Sequence, residues 1–126
     1  MNREEQGFTL IELLACVLII GVLAAVAVPT LNRHQDGARV AVLESDLRNA
    51  AAAQASLTIR NGQPTNYLGD LMDVGFRISP AVAFVNDGQF TSHPSGMCMQ
   101  VEHSRLPGRS WAFAAAGPAN PFEGTC

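Results

Sequence analysis

The chain has 126 residues, enough for one modest domain plus an anchoring element but hardly for two full domains. Its formal net charge is -3, and its eight basic residues are all arginines that are scattered without a cluster. This distribution argues against a domain that binds nucleic acid through phosphate contacts. A polymer of the chain would still concentrate charge, so nucleic-acid binding stays open.

A short polar leader precedes a long apolar run at the N-terminus. The leader is residues 1–7, MNREEQG, and the run covers residues 8–28, with Thr9 and Glu12 as its polar exceptions. A helix of that length would measure about 31 Å, enough to cross the hydrocarbon core of a bilayer. The run is too long for an ordinary secretory signal, and the candidate cleavage point, Gly7, precedes it. Cleavage there would leave the hydrophobic segment on the mature protein.

After the apolar run the helical periodicity continues and becomes amphipathic. One face collects residues spaced by three and four: Val40, Leu43, Leu47, Ala50, Ala51 and Gln54. On the other side, Glu44 and Arg48 are spaced for an ion pair. The dipeptide Asn61-Gly62, with a proline two residues later, is a helix stop signal. The sequence therefore predicts one long helix over roughly residues 8–60.

Three residues inside this predicted helix should weaken it. Pro29 lacks a backbone N–H, so we expect a kink there. Gly21 and Gly37 have no side chain and should soften the helix at their own positions.

The C-terminal half changes to strand-like patterns. A short helical turn or loop is expected over residues 67–75, and residues 117–126 are expected to be irregular. The predicted strands cover residues 78–85, 97–103 and 110–116, separated by turns at residues 86–88 and 107–108. An antiparallel sheet of three or four strands would bury one face on the amphipathic half of the helix. The expected fold class is α+β.

The three cysteines lie in two different parts of the sequence, one in the apolar run and two in the polar C-terminal half. Cys16 lies in the apolar run, where a lone thiol behaves as a small hydrophobe. Cys98 and Cys126 lie in the polar half and are candidates for a disulfide, which would indicate an oxidising compartment. The alternative is two unrelated thiols.

The remaining residues whose side chains could bind a metal or act in catalysis do not form a recognisable site. The histidines at positions 34, 93 and 103 are too dispersed for a metal motif, and there is no nucleophile elbow or phosphate-binding glycine loop. Trp111 and Phe113 alternate on one predicted strand, which is typical of core residues. We therefore expect no enzymatic activity, no cofactor and no metal.

The heptapeptide GFTLIEL, residues 7–13, together with the apolar helix and Pro29, resembles the N-terminus of type IV pilins and of the related type II secretion pseudopilins. The resemblance covers about a fifth of the chain. It implies a long N-terminal helix, half transmembrane and half amphipathic, packed on a small antiparallel sheet. It also implies a leader peptide (1–7), a transmembrane and filament-core helix (8–31) and a globular head (32–126).

The same resemblance assigns roles to individual residues. Gly7 would end the leader, and Phe8 would become the first mature residue after cleavage by a prepilin peptidase, followed by N-methylation. Glu12 would serve assembly by pairing with the Phe8 amine of a neighbouring subunit. This role has a physical basis, because an ionisable side chain in a membrane helix costs on the order of 2.5–3.5 kcal/mol without a partner. Gly21 and Pro29 bound the stretch that becomes extended in the family's filaments.

The function implied is that of a structural subunit of a type IV pilus, stored in the cytoplasmic membrane and assembled into an extracellular filament. Its partners would be identical subunits, the prepilin peptidase, a membrane assembly platform with its ATPase, and membrane lipid before assembly. The alternatives are a pseudopilin of a type II secretion system and a monomeric, membrane-tethered binding protein. The small C-terminal half and the lack of an obvious calcium-binding cluster favour the pilus subunit over the pseudopilin.

Overall fold

A computed structural model describes residues 7–93, 96–115, 117 and 119–126. The predicted leader residues 1–6 and Ala116, the last residue of the third predicted strand, lie outside this part. The elements are α1 (Leu10–Asn61), α2 (Leu68–Asp73), β1 (Val82–Phe84), a 3-10 turn (Asn86–Gly88), β2 (Thr91–His93), β3 (Gly96–His103), β4 (Ser110–Ala114) and β5 (Phe122–Glu123). The chain divides into two compact units, the first ending at Gln35 and the second, here called the head, beginning at Asp36.

The head portion of α1 is amphipathic, as its periodicity predicted. Its buried residues are Leu43, Asp46, Leu47, Ala50, Gln54 and Leu57, and Val40 and Ala51 pack partly buried beside them. On the exposed side, Arg48 Nη2 lies 3.2 Å from Glu44 Oε2, which confirms the predicted ion pair. The helix ends at Asn61, where Gly62 adopts a φ of +75° and donates its N–H to the Thr58 carbonyl. This confirms the stop signal, since a left-handed residue there favours glycine.

The sheet is antiparallel throughout and is built around β3. Its strand order is β1-β3-β4-β5, and β2 also pairs with β3. Alternate residues of β3 face opposite sides: Met99 and Val101 join the main core with Leu43 and Leu47 of α1, whereas Cys98 belongs to a smaller cluster on the other face. The α+β fold predicted from the sequence is therefore confirmed.

The predicted strand over residues 78–85 was too long, since only Val82–Phe84 forms β1. Pro80 has no N–H to give to a ladder, and Ala81 adopts a φ of +68°, which is incompatible with a strand. The prediction of an irregular C-terminus was wrong at Phe122–Glu123, which pair with β4 as β5. Strand β2 was also not predicted. The sheet has five strands, whereas the sequence predicted three or four.

A buried carboxylate fixes the segment that precedes β1. Asp46 of α1 is 4% exposed, and its two oxygens accept hydrogen bonds of 2.9 Å from the Ser79 N–H and the Ser79 hydroxyl. These bonds satisfy a charged group that would otherwise be costly to bury. They attach the loop before β1 to the middle of the head helix.

Candidate assembly site

The sequence GFTLIE begins outside regular secondary structure and enters α1 at Leu10. Gly7 and Phe8 lie outside the helix and are exposed, and the Phe8 side chain is 86% accessible. No atom lies within 4 Å of the position that a Cβ on Gly7 would occupy. The peptide bond between these residues therefore lies in exposed chain outside the helix.

Thr9 and Glu12 form a reciprocal cap at the start of α1. The Thr9 N–H donates to Glu12 Oε2 at 2.9 Å, and the Thr9 hydroxyl donates to the same oxygen at 2.8 Å. In return, the Glu12 N–H donates to Thr9 Oγ1 at 3.3 Å. This is a capping box, which orients the carboxylate toward the N-terminus. Sequence analysis missed Thr9, although the spacing T-x-x-E before an apolar run is the signal that identifies it.

The first unit presents an exposed apolar surface. By length and composition, α1 qualifies as a membrane-spanning helix, and none of the residues in its most apolar window is buried. The free thiol of Cys16 is exposed on it as well. The large exposed side chains between positions 10 and 31 are Leu10, Ile11, Leu13, Leu14, Val17, Leu18, Ile19, Ile20, Val22, Leu23, Val26, Val28 and Leu31. Such a surface needs lipid or other protein around it.

Glu12 is the single charged residue between Phe8 and Asn32 in the sequence. In an apolar surrounding its carboxylate needs a positive partner, and the Thr9 cap supplies hydrogen bonds but no charge. Among the described residues, the printed contacts of the Glu12 carboxylate are hydrogen bonds from Thr9, which carries no charge.

The two residues expected to bound a helix break both lie inside α1, which runs helically through Gly21 and Pro29. Thr30, next to the proline, donates its hydroxyl to the Val26 carbonyl at 3.1 Å. Hydroxyl groups commonly satisfy backbone carbonyls in this way within membrane helices. Loss of helical structure in a filament stays a prediction.

In the head, the predicted disulfide is present between Cys98 and Cys126, with Cα atoms 5.8 Å apart. The Cys126 N–H also donates to Gln100 Oε1 at 3.1 Å. The link joins the last residue of the sequence to the central strand β3. Among the described residues, no three His, Cys, Asp or Glu side chains are grouped to hold a metal ion.

An exposed ion pair joins Glu123 of β5 to Arg109, the residue before β4. Arg109 donates from Nε and Nη2 to the two carboxylate oxygens of Glu123, at 2.7 and 3.0 Å, and its guanidinium lies 4.9 Å from the centre of the Trp111 ring. The hydrogen bonds from Arg109 hold the pKa of Glu123 below its ordinary value. The same bonds raise the pKa of Arg109.

Comparison with known proteins places these features in a family. Residues 2–28 match the model of the prokaryotic N-terminal methylation motif. The chain is 34% identical over 113 residues to the type IV wide pilus major component PilA4 of Thermus thermophilus. This alignment covers 90% of this chain and 82% of that protein.

Two further relatives match in part. The type II secretion system core protein G of Pseudomonas aeruginosa is 45% identical over 52 residues, 41% of this chain and 37% of that protein. The type IV major pilin PilE1 of Neisseria gonorrhoeae is 28% identical over 131 aligned residues, 98% of this chain and 60% of that protein. The alignments thus span less than two thirds of both. All three relatives are pilus or secretion components by name, and the extent of the match to the Thermus pilin shows that this chain belongs to the type IV pilin family.

Proposed function

We propose that the chain is the structural subunit of a type IV pilus. It is stored in the cytoplasmic membrane as a prepilin, cut by a prepilin peptidase after Gly7, N-methylated at Phe8 and polymerised into an extracellular filament. The observation that carries this proposal is the exposed apolar segment headed by Glu12, whose capping partner Thr9 carries no charge.

The exposed side chains of the segment require two successive surroundings. Lipid covers them while the subunit is stored, and the segments of identical subunits cover them in the filament. Packing between apolar helices replaces the lipid contacts at little cost, because lipid and side chains are similarly apolar. An assembly platform and its ATPase would supply the work of extraction from the membrane.

Glu12 makes the assembled state specific. Cleavage after Gly7 creates an amine on Phe8, and this amine on a neighbouring subunit is the cation that the carboxylate lacks. Pairing the two charges in an apolar interior recovers a penalty on the order of 2.5–3.5 kcal/mol that each unpaired charge incurs in a membrane helix. It also fixes the axial stagger between neighbouring helices.

A second candidate function is a pseudopilin of a type II secretion system. It is favoured by the 45% identity to core protein G, although that match covers 52 residues only. The match to a pilus major component over 90% of the chain favours the pilus subunit. Both candidates share the processing step and the role of Glu12.

A membrane-tethered monomer is the rival from a different class, and Glu12→Ala separates it from a polymer subunit. We expect the variant to insert into the membrane normally and to yield no sheared filaments. The matched control is Cys16→Ala in the same helix, which should insert and assemble like the parent. Normal assembly of Glu12→Ala would contradict the assembly role, and absence of filaments from the parent chain would favour the tethered monomer.

A further inference from the structure

Arg33 is the first charged residue after Glu12 and lies just beyond the C-terminal end of the apolar run. It is exposed, and among the residues that the structure describes no carboxylate pairs with its guanidinium. The next arginine differs, because Arg39 Nη1 lies 2.6 Å from Asp36 Oδ1 in the head. Arg33 is therefore a cation that needs a partner from outside the described chain.

Glu12 and Arg33 mark the two ends of the apolar run, and the length between them is that of a bilayer's apolar core. Both lie in α1, which is long and apolar enough to cross a membrane. From Glu12 to Arg33 a helix rises about 32 Å, and the hydrocarbon core of a bilayer is about 30 Å thick. When Glu12 lies at one headgroup layer, Arg33 lies at the opposite one.

Arg33 is also the residue at this end of the segment that can anchor a helix at a membrane surface. The side chains that serve there are Trp, Tyr, Lys and Arg. The chain contains no lysine, and its one tryptophan and one tyrosine, Trp111 and Tyr67, belong to the head. Between the apolar run and the end of the first unit at Gln35, Arg33 is therefore the one residue of these four types.

We propose that Arg33 binds the phosphate group of a lipid in the outer leaflet of the cytoplasmic membrane, and that this contact sets the depth of the stored subunit. The inference rests on the membrane-stored form in the proposed function. A guanidinium presents N–H donors in a planar fork that matches two phosphate oxygens, and the opposite charges strengthen these bonds. Phospholipids supply this anion throughout the headgroup layer, so the occupant is a lipid rather than a free phosphate ion.

Solid-state NMR tests the contact directly. The full chain, isotope-labelled at the Cζ atoms of its arginines, is reconstituted in phosphatidylcholine vesicles, and the attenuation of the Cζ signal by nearby lipid phosphorus is measured. Arg33→Gln should show less attenuation than the parent. The matched control is Arg60→Gln, which removes an exposed arginine near the other end of α1 and should keep the attenuation of the parent. Equal attenuation in the two variants would overturn the inference.

A second sample separates lipid phosphate from free phosphate. Vesicles of digalactosyl diacylglycerol contain no phosphate, so the parent should show no attenuation in them when inorganic phosphate is added to the buffer. Attenuation there equal to that in phosphatidylcholine would identify a site for a free anion and overturn the lipid contact.

The free, exposed thiol of Cys16 provides a readout of depth. A fluorophore attached to it is quenched by lipids that carry bromine at different positions of their acyl chains. Arg33→Gln should shift the depth of maximal quenching, and Arg60→Gln should leave it at that of the parent. An unchanged quenching profile in Arg33→Gln would contradict the role in setting depth.

Flotation on a density gradient distinguishes failure of the inference from failure of the proposed function. The parent and both variants should float with the vesicles. A parent that stays in the aqueous fraction would overturn membrane storage, and the inference with it. Variants that float and show equal attenuation would overturn the inference alone.

Discussion

Removing the Cys98–Cys126 disulfide should destabilise the head more than any other single contact of its C-terminal strand. The bond closes a loop with a sequence separation of 28. A loop of this length corresponds to about 3.5 kcal/mol of unfolding free energy in the chain-entropy treatment. Other contacts of β5 and the residues after it include two residue pairs with β4, a hydrogen bond of 2.9 Å from the Gly124 N–H to the Ser110 carbonyl, and the Arg109–Glu123 ion pair. That ion pair is exposed, so solvent screens it and its contribution is small.

The assay is thermal unfolding of the full chain in detergent micelles, followed by the fluorescence of Trp111. This is the one tryptophan in the sequence, and it is 2% exposed in the head core. For a domain of this size, the loss of about 3.5 kcal/mol lowers the unfolding midpoint by roughly 15–25 °C. We expect that shift for Cys98→Ala/Cys126→Ala and none for the control Cys16→Ala, which retains the disulfide. A double variant within about 1 kcal/mol of the parent would refute the reasoning.

Three further predictions concern single side chains of the head, each measured by the same unfolding assay. Asp46→Ala leaves the N–H and hydroxyl of Ser79 without their acceptor and should lower the free energy of unfolding by about 3 kcal/mol. If Ser79→Ala destabilises the Asp46→Ala variant as much as it destabilises the parent, the two residues are not coupled. Gly88→Ala should lower the free energy of unfolding by about 2–4 kcal/mol, because Gly88 has a φ of +77° and an added Cβ would lie 2.7 Å from Leu68 Cβ. An unchanged unfolding midpoint would contradict this close approach. The hydrogen bonds from Arg109 lower the pKa of Glu123 in the folded head, so their pairing stabilises the head above the unfolded-state pKa of about 4.3, and this stabilisation is lost as the pH falls through the folded-state pKa. Arg109→Gln should therefore have a lower unfolding midpoint than the parent at pH 7 and the same midpoint at pH 2. A difference in midpoint that persists at pH 2 would exclude the ion pair as its cause.

The long helix was predictable because its signals are local. The three- and four-residue spacing around Leu43 and Leu47 defines its buried face, and Asn61-Gly62 defines its end. The alternation in β3 is equally local, since residues such as Cys98 and Met99 face opposite sides of the sheet.

The shorter elements depend on contacts that sequence order does not display. Strand β2 has three residues and β5 has two, and each is fixed by a longer neighbour rather than by its own pattern. The burial of Asp46 depends on Ser79, 33 positions away. Nothing in the residue type of Ala81 signals its positive φ.

The candidate functional residues likewise include some that a local sequence pattern predicts and some that only the folded structure brings together. Gly7, Phe8 and Glu12 were identified from one motif, because they lie in one short contiguous segment. The cap from Thr9 follows from the spacing T-x-x-E and was open to the same reasoning. A groove lined by Ala51 and Ala55 of α1 and by Met99 and Phe113 of the sheet combines residues that are distant in the sequence, so it became visible only in the folded head.

The N-terminus and mass of the protein sheared from the surface of its native cells test the central claim most directly. The account predicts a chain that begins at Phe8 and is heavier by one methyl group than the unmodified sequence from that residue. Such a chain on the surface would establish processing and export together. An uncut chain found solely in the membrane fraction would contradict the account and favour a tethered monomer.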